Sequence, residues 1–85
     1  MYKKISVETF LKEQSRLFDE PVAGTYEEAE EFLEEAMAAE ADTLKEVRAY
    51  LEESGADVSH MSDQELKEAQ EVFALGDGGY LIVEG

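Results

Sequence analysis

From Thr25 to Gly55 the hydrophobic positions recur at helical spacing. Tyr26, Ala29, Phe32, Leu33, Ala36, Met37, Leu44, Val47, Tyr50 and Leu51 share one side of a helix turning about 100° per residue. Thr25 with Glu28 three residues on reads as a capping box, and Gly55 supplies the residue that most readily turns left-handed after a helix. The second half of the stretch repeats the first in phase 18 residues later, pairing Tyr26 with Leu44, Ala29 with Val47, Phe32 with Tyr50 and Leu33 with Leu51. This phase favours one continuous helix over 26–53. Against it, 28 residues at ~1.5 Å each span roughly 42 Å, longer than a compact domain of this size is wide. Glu40 also falls inside the apolar stripe, and Asp42-Thr43-Leu44 can cap a second helix. The pattern therefore predicts a helical segment throughout, with any kink or short break near Ala39–Asp42. An unkinked helix implies a dimer that covers the overhang.

Upstream, Ser6 as a cap followed by Val7, Phe10, Leu11, Leu17 and Phe18 predicts a first helix over about 7–18. Asp19-Glu20-Pro21 ends it, because proline disfavours helical geometry in the residue before it. Lys12 and Arg16 lie roughly opposite its apolar stripe, as a solvated face. Downstream, Val58 and Met61 of a polar connector turn inward, and Ser62 with Glu65 opens a short helix over about 63–70.

The chain closes on period-free apolar runs, Val72-Phe73-Ala74-Leu75 and Tyr80-Leu81-Ile82-Val83, around Gly76-Asp77-Gly78-Gly79. Asp-Gly between two such runs predicts a hairpin at about 72–75 and 80–84. Centring the turn on Asp77-Gly78 pairs Leu75 with Tyr80, Ala74 with Leu81 and Phe73 with Ile82. A lone two-stranded ribbon is marginal in water, so it must pack on the helices. Tyr2–Ile5, or another molecule, is the expected source of a third strand. The predicted class is α+β in one domain over 1–85: three helices, one long and kinked at most, followed by a C-terminal β-hairpin. This is the element order of a winged helix.

Charge changes that picture. The formal net charge is −15 over 85 residues, with 22 acids, one histidine and no cysteine. Residues 1–18 carry four bases against two acids, 19–42 carry ten acids and no base, and 43–85 carry ten acids against three bases. Such a field repels DNA, RNA and anionic membranes, so neither nucleic acid nor a membrane is an expected partner. It attracts a basic protein. No apolar run approaches membrane-spanning length and no signal-peptide core follows Met1-Tyr2-Lys3-Lys4, which with the lack of cysteine fits a cytoplasmic protein.

Catalytic chemistry finds little footing. A single histidine, His60, and no thiol exclude imidazole-assisted thiol catalysis, and no serine lies in a nucleophile elbow. A calcium loop starting at Asp57 fails because Met61 and Ser62 occupy its fifth and sixth positions. The glycines at 76–79 lack the lysine and hydroxyl of a phosphate loop. No catalytic residue, metal ligand or cofactor is assigned. The candidate partner-binding residues are Glu27, Glu30, Glu31, Glu34 and Glu35, on the polar side of the long helical stretch.

Phe10-Leu11-Lys12, Asp19-Glu20-Pro21-Val22-Ala23, Glu30-Glu31-Phe32-Leu33-Glu34, the run 54–66 and Val72-Phe73-Ala74-Leu75 resemble a family of short acidic bacterial proteins of unknown function. Some of its members carry a glyoxalase label. That label implies a metal site of histidines and glutamates, which a single histidine does not support, so the resemblance implies a cytoplasmic bacterial protein and no site residue. The leading functional expectation is a non-enzymatic interaction or regulatory module that presents its acidic helical face to a basic partner. A homo-oligomeric structural protein, joined through the hairpin edge or the long helix as in a homodimer, is the second expectation. A metal-dependent enzyme is the third.

Overall fold

The structure is a computed structural model that describes residues 2–83. Helix α1 spans Lys4–Glu13 and tightens into a 3-10 turn at Gln14–Arg16. Helix α2 is Tyr26–Glu35, strand β1 Ala39–Ala41, α3 Leu44–Glu53, α4 Asp63–Glu68, β2 Val72–Ala74 and β3 Tyr80–Ile82. The class is α+β, but the expected order of three helices followed by a hairpin does not form. The long helix is two helices of ten residues with a strand between them. That strand, not Tyr2–Ile5, completes an antiparallel sheet of order β1-β3-β2, because Lys4 already opens α1.

The sheet is covered on both faces, which is why its strands read as continuous apolar runs. Phe73, Leu75, Leu81 and Val83 pack with Val7 and Phe10 of α1 and Ala29 and Leu33 of α2. Val72, Ile82 and Ala41 pack on the opposite face with Val47 and Leu51 of α3, Val58, and Leu66 of α4. All four phenylalanines lie on the α1–α2 side. There Phe10 stacks on Phe32 at 5.4 Å, while Phe18 meets Phe32 and Phe73 meets Phe10 edge-on. Edge-on and offset aromatic pairs add roughly 0.5–1.5 kcal/mol each beyond buried area, a contribution that the phenylalanine-free core on the other face lacks.

Phase across 26–53 survives the break because the two helices are built as one unit used twice. Thr25 and Thr43 each cap with a hydroxyl accepting the N–H three residues on, from Glu28 and Glu46, both at 3.2 Å. Those glutamates each reach back four residues, to the N–H of Gly24 at 2.8 Å and of Asp42 at 3.3 Å. At the other end, Met37 and Ala38 donate to Glu34 and Leu33, and Gly55 and Ala56 donate to Glu52 and Leu51. Both are Schellman closures with the left-handed residue at φ 55° for Met37 and 98° for Gly55. A residue with a Cβ pays about 1 kcal/mol for that conformation where glycine does not. A helix through Met37 is thus stopped by backbone closure and by the need to put α2 and α3 on opposite faces of one sheet.

Four further expectations are corrected: the bounds of the first helix, its cap, the end of α4 and the hairpin register. The first helix runs from Lys4, not from about 7, and is α-helical only to Glu13, continuing as a 3-10 turn through Arg16 toward the expected end at 18. Ser6 is not its cap: it is fully buried in the first turn, and its hydroxyl donates to the Glu40 carboxylate. Glu40 also accepts the Lys3 N–H at 2.8 Å, so a residue of β1 closes the start of α1. α4 ends at Glu68, and Ala69 is already non-helical. In the hairpin, Phe73 pairs with Leu81, Val72 with Ile82 and Ala74 with Tyr80, one residue out of the expected register. Leu75 O accepts from Gly78 N at 3.2 Å and Leu75 N donates to Gly79 O at 2.8 Å, closing a three-residue loop. Only Gly78 takes positive φ there, at 92°, while the Asp77 carboxylate accepts the Gly79 N–H at 2.9 Å. A two-residue type I′ turn on Asp77-Gly78 needs positive φ at both positions, and only Gly78 supplies it, so the loop takes a third residue. The slip changes which side chains share a face, giving Phe73 and Leu81 to α1–α2 and Val72 and Ile82 to α3–α4. Glu84, the expected end of the second strand, lies outside the described residues.

Candidate functional site: the acidic face of α2

All five candidate glutamates lie on α2. Glu27, Glu31, Glu34 and Glu35 are exposed, and Glu30 is half-buried. Ten residues of helix carry six carboxylates and no base. Leu33 and Ala29 hold the opposite stripe fully buried, so the backbone cannot rotate the acids away from solvent. Glu27 and Glu28 lie in the first turn, where the helix dipole favours negative charge, while Glu34 and Glu35 lie in the last turn, where it does not. Among the described residues no lysine or arginine pairs with any of these six; the ion pairs are Lys3–Asp77, Arg16–Glu13, Arg48–Asp63 and His60–Asp57.

The field of these acids is felt nearby. The Tyr26 phenol is pushed above its ordinary pKa by partial desolvation, then by Glu30 and by Glu8 of α1. The Tyr2 phenol is raised by desolvation, then by Glu34 and Glu40. Its hydroxyl lies 2.9 Å from Leu33 O and 2.7 Å from Ala38 O, against the end of α2.

A shallow groove of about 280 Å³ runs along one edge of this face, lined by Val22, Glu28, Glu31, Phe32 and Glu35. Two of these carboxylates belong to the expected set; Glu28, Phe32 and Val22 do not. Glu28 was legible as a capping residue, and its second role at the groove follows from lying one turn below Phe32. Phe32 reads as a core position by its spacing. It is half-buried, held by Phe10 and Phe18 behind it, with the rest of it turned to the groove. Val22 is 39% exposed, and its loop is fixed by Gln14. The Gln14 carbonyl accepts from Val22 N at 2.7 Å and Ala23 N at 3.1 Å, while its amide donates to Leu11 O and Ala23 O, both at 2.9 Å. No periodicity announces such a contact across a loop.

Arg16 was expected on a solvated face, and both it and Arg48 prove structural. Arg16 donates to Ala69 O at 3.1 Å and lies 5.0 Å from the centre of the Phe73 ring, so it is not part of a solvated face. Arg48 donates to Val58 O and Met61 O, tying the connector before α4 to α3. His60 is exposed. Among the described residues no three histidines, aspartates or glutamates gather in a geometry that holds a metal ion. No described helix is long and apolar enough to cross a membrane.

Comparison of the chain with protein-family models, with curated proteins and with solved structures returns no match.

Proposed function

We propose that the protein is a non-enzymatic interaction module whose working surface is the acidic face of α2, taking a basic protein segment. The observation that carries this reading is internal to the chain. α3 repeats the caps, length and closure of α2, yet at the positions matching Glu27, Glu30 and Glu31 it has Lys45, Arg48 and Ala49. The helical unit therefore forms without acids at those places, and their concentration on α2 serves something other than local folding. Like charges this dense cost stability through mutual repulsion. A basic partner relieves that cost on binding.

The groove adds the shape of the contact. Phe32 and Val22 offer an apolar floor, and Glu28, Glu31 and Glu35 a carboxylate rim, which together fit the aliphatic stem and charged head of one lysine or arginine. Cytoplasmic residence and the resemblance to short acidic bacterial proteins belong to the same reading. The test is affinity capture from a lysate of the source cell at low and high salt. It compares the wild-type chain with a variant carrying the α3 residues, Glu27→Lys, Glu30→Arg and Glu31→Ala. A basic protein held by the wild type at low salt, released at high salt and not held by the variant is the expected result. Equal capture by both chains, or capture indifferent to salt, removes the acidic face as the working surface.

A further inference from the structure

Residues 36–41 read Ala-Met-Ala-Ala-Glu-Ala, side chains with the strongest intrinsic preference for helix, yet none of the six belongs to one. Met37 is left-handed, and Ala39–Ala41 are a strand. Local preference and tertiary structure disagree here more sharply than anywhere else in the chain. The conformation is held from outside the segment. β3 pairs with β1, which is an edge strand, the Tyr2 hydroxyl sits on Leu33 O and Ala38 O, and Glu40 is bound to Lys3 N and Ser6.

An 18-residue repeat is five helical turns, so helix through 36–41 brings Ala29 and Leu33 onto the same side as Val47 and Leu51. In one chain those pairs face opposite sides of the same sheet, in separate cores. A fused helix cannot reach both faces of its own sheet, and at roughly 42 Å it exceeds the molecule's longest extent of 36 Å. A second copy removes both obstacles. We propose that two chains exchange their α1–α2 halves, with residues 36–41 refolding as helix between α2 and α3. Each α1–α2 pair then docks on the Phe73–Leu81 face of the other chain's hairpin, and both cores re-form from the same large side chains, with only the alanines of 36–41 leaving their places at the core margins. The exchange uses none of the α2 carboxylates, so it stands apart from the basic-partner reading.

The test uses the full chain, unlabelled and heavy-nitrogen-labelled in equal parts, refolded from denaturant at micromolar and at millimolar concentration and sized by light scattering. The Lys3–Asp77 ion pair, 3.1 Å long, joins the two exchanging halves and accepts a zero-length carbodiimide link. The expected result is a dimer at the higher concentration whose Lys3–Asp77 link joins labelled to unlabelled peptide. Met37→Gly favours the left-handed turn and disfavours helix at both hinges of the dimer. It should lower the association constant on the order of a hundredfold while leaving a well-folded monomer. Glu40→Ala, which frees the strand from α1 and improves helix preference, should raise it. Monomer at both concentrations overturns the proposal. So does a dimer whose link stays within one chain, or one that Met37→Gly leaves unchanged.

Discussion

α2 and α3 cap on a threonine, run ten residues, and close through the same pair of backbone bonds. They share glutamate at 28 and 46, 34 and 52, and 35 and 53, yet they part at Glu27, Glu30 and Glu31 against Lys45, Arg48 and Ala49. α3 places Arg48 against two carbonyls of the next connector and so works inside the fold. α2 places glutamate at the same position and pairs it with no base among the described residues. Behind the helices the contrast runs the other way. α2 backs onto stacked phenylalanines, whereas α3 backs onto valine, leucine and isoleucine. One local design thus supports a phenylalanine core with a charged, unpaired outer face, and an aliphatic core whose helix is tethered to the next connector through Arg48. What the cap, stripe and closure share is what folding needs; where they diverge, use becomes readable.

If the two units are equivalent as folding elements, Leu33→Ala and Leu51→Ala should each cost about 3 kcal/mol, the range for truncating a buried leucine. Chemical denaturation checks this, and a cost at one site under half that at the other would break the equivalence. The anchors should differ next. Gln14→Leu strips four hydrogen bonds that a buried side chain makes to Leu11, Val22 and Ala23, and should cost about 2 kcal/mol, more than Arg48→Met, whose carbonyl partners can turn to water. Equal losses would mean that the charged tether matters as much as the buried one.

Exchanging the closures is the third comparison. Met37→Gly should stabilise by about 1 kcal/mol and Gly55→Ala should destabilise by about as much, because only glycine occupies that φ without steric cost. Thermal midpoints moving in the same direction would show that the two turns are not alike. Grafting α3 charges onto α2 with Glu27→Lys and Glu30→Arg should change stability by only about 0.5 kcal/mol, upward and less so in salt. A loss of several times that amount would mean the acids are structural.

The smallest effect lies at the hairpin loop. The Asp77 carboxyl is held below its ordinary pKa, first by the Gly79 amide and then by Lys3. A carboxyl whose folded value is the lower one stabilises above the ordinary carboxylate range and loses that contribution as pH falls through the folded value. The gap in thermal midpoint between wild type and Asp77→Asn should therefore close on acidification; a gap that persists in strong acid would exclude that origin.

The candidate site was half visible in the sequence. Helical spacing alone brought Glu27, Glu30, Glu31, Glu34 and Glu35 to one helical face, because side-chain direction on a helix follows from spacing. Val22 and Phe32 entered only through the Gln14-fixed loop and the phenylalanine stack, contacts between segments that no periodicity encodes. Arg16 was misplaced and the role of Arg48 went unread for the same reason: nothing local says that a long cationic side chain will find a carbonyl in another element.

By itself the chain determined the caps at Thr25, Thr43 and Ser62, most of the buried stripe and the class α+β, since each depends on residues within a turn or two of one another. Ser6, by contrast, proved no cap, and Met37 of the stripe is exposed. Only the tertiary structure decided that the segment between α2 and α3 holds a strand, that the hairpin slips by one residue, and that two helices in phase lie on opposite faces of one sheet. The reason is the same in each case. Ala36–Ala41 prefers helix when considered alone, and it is the pairing with β3, together with two separate cores to fill, that outweighs that preference.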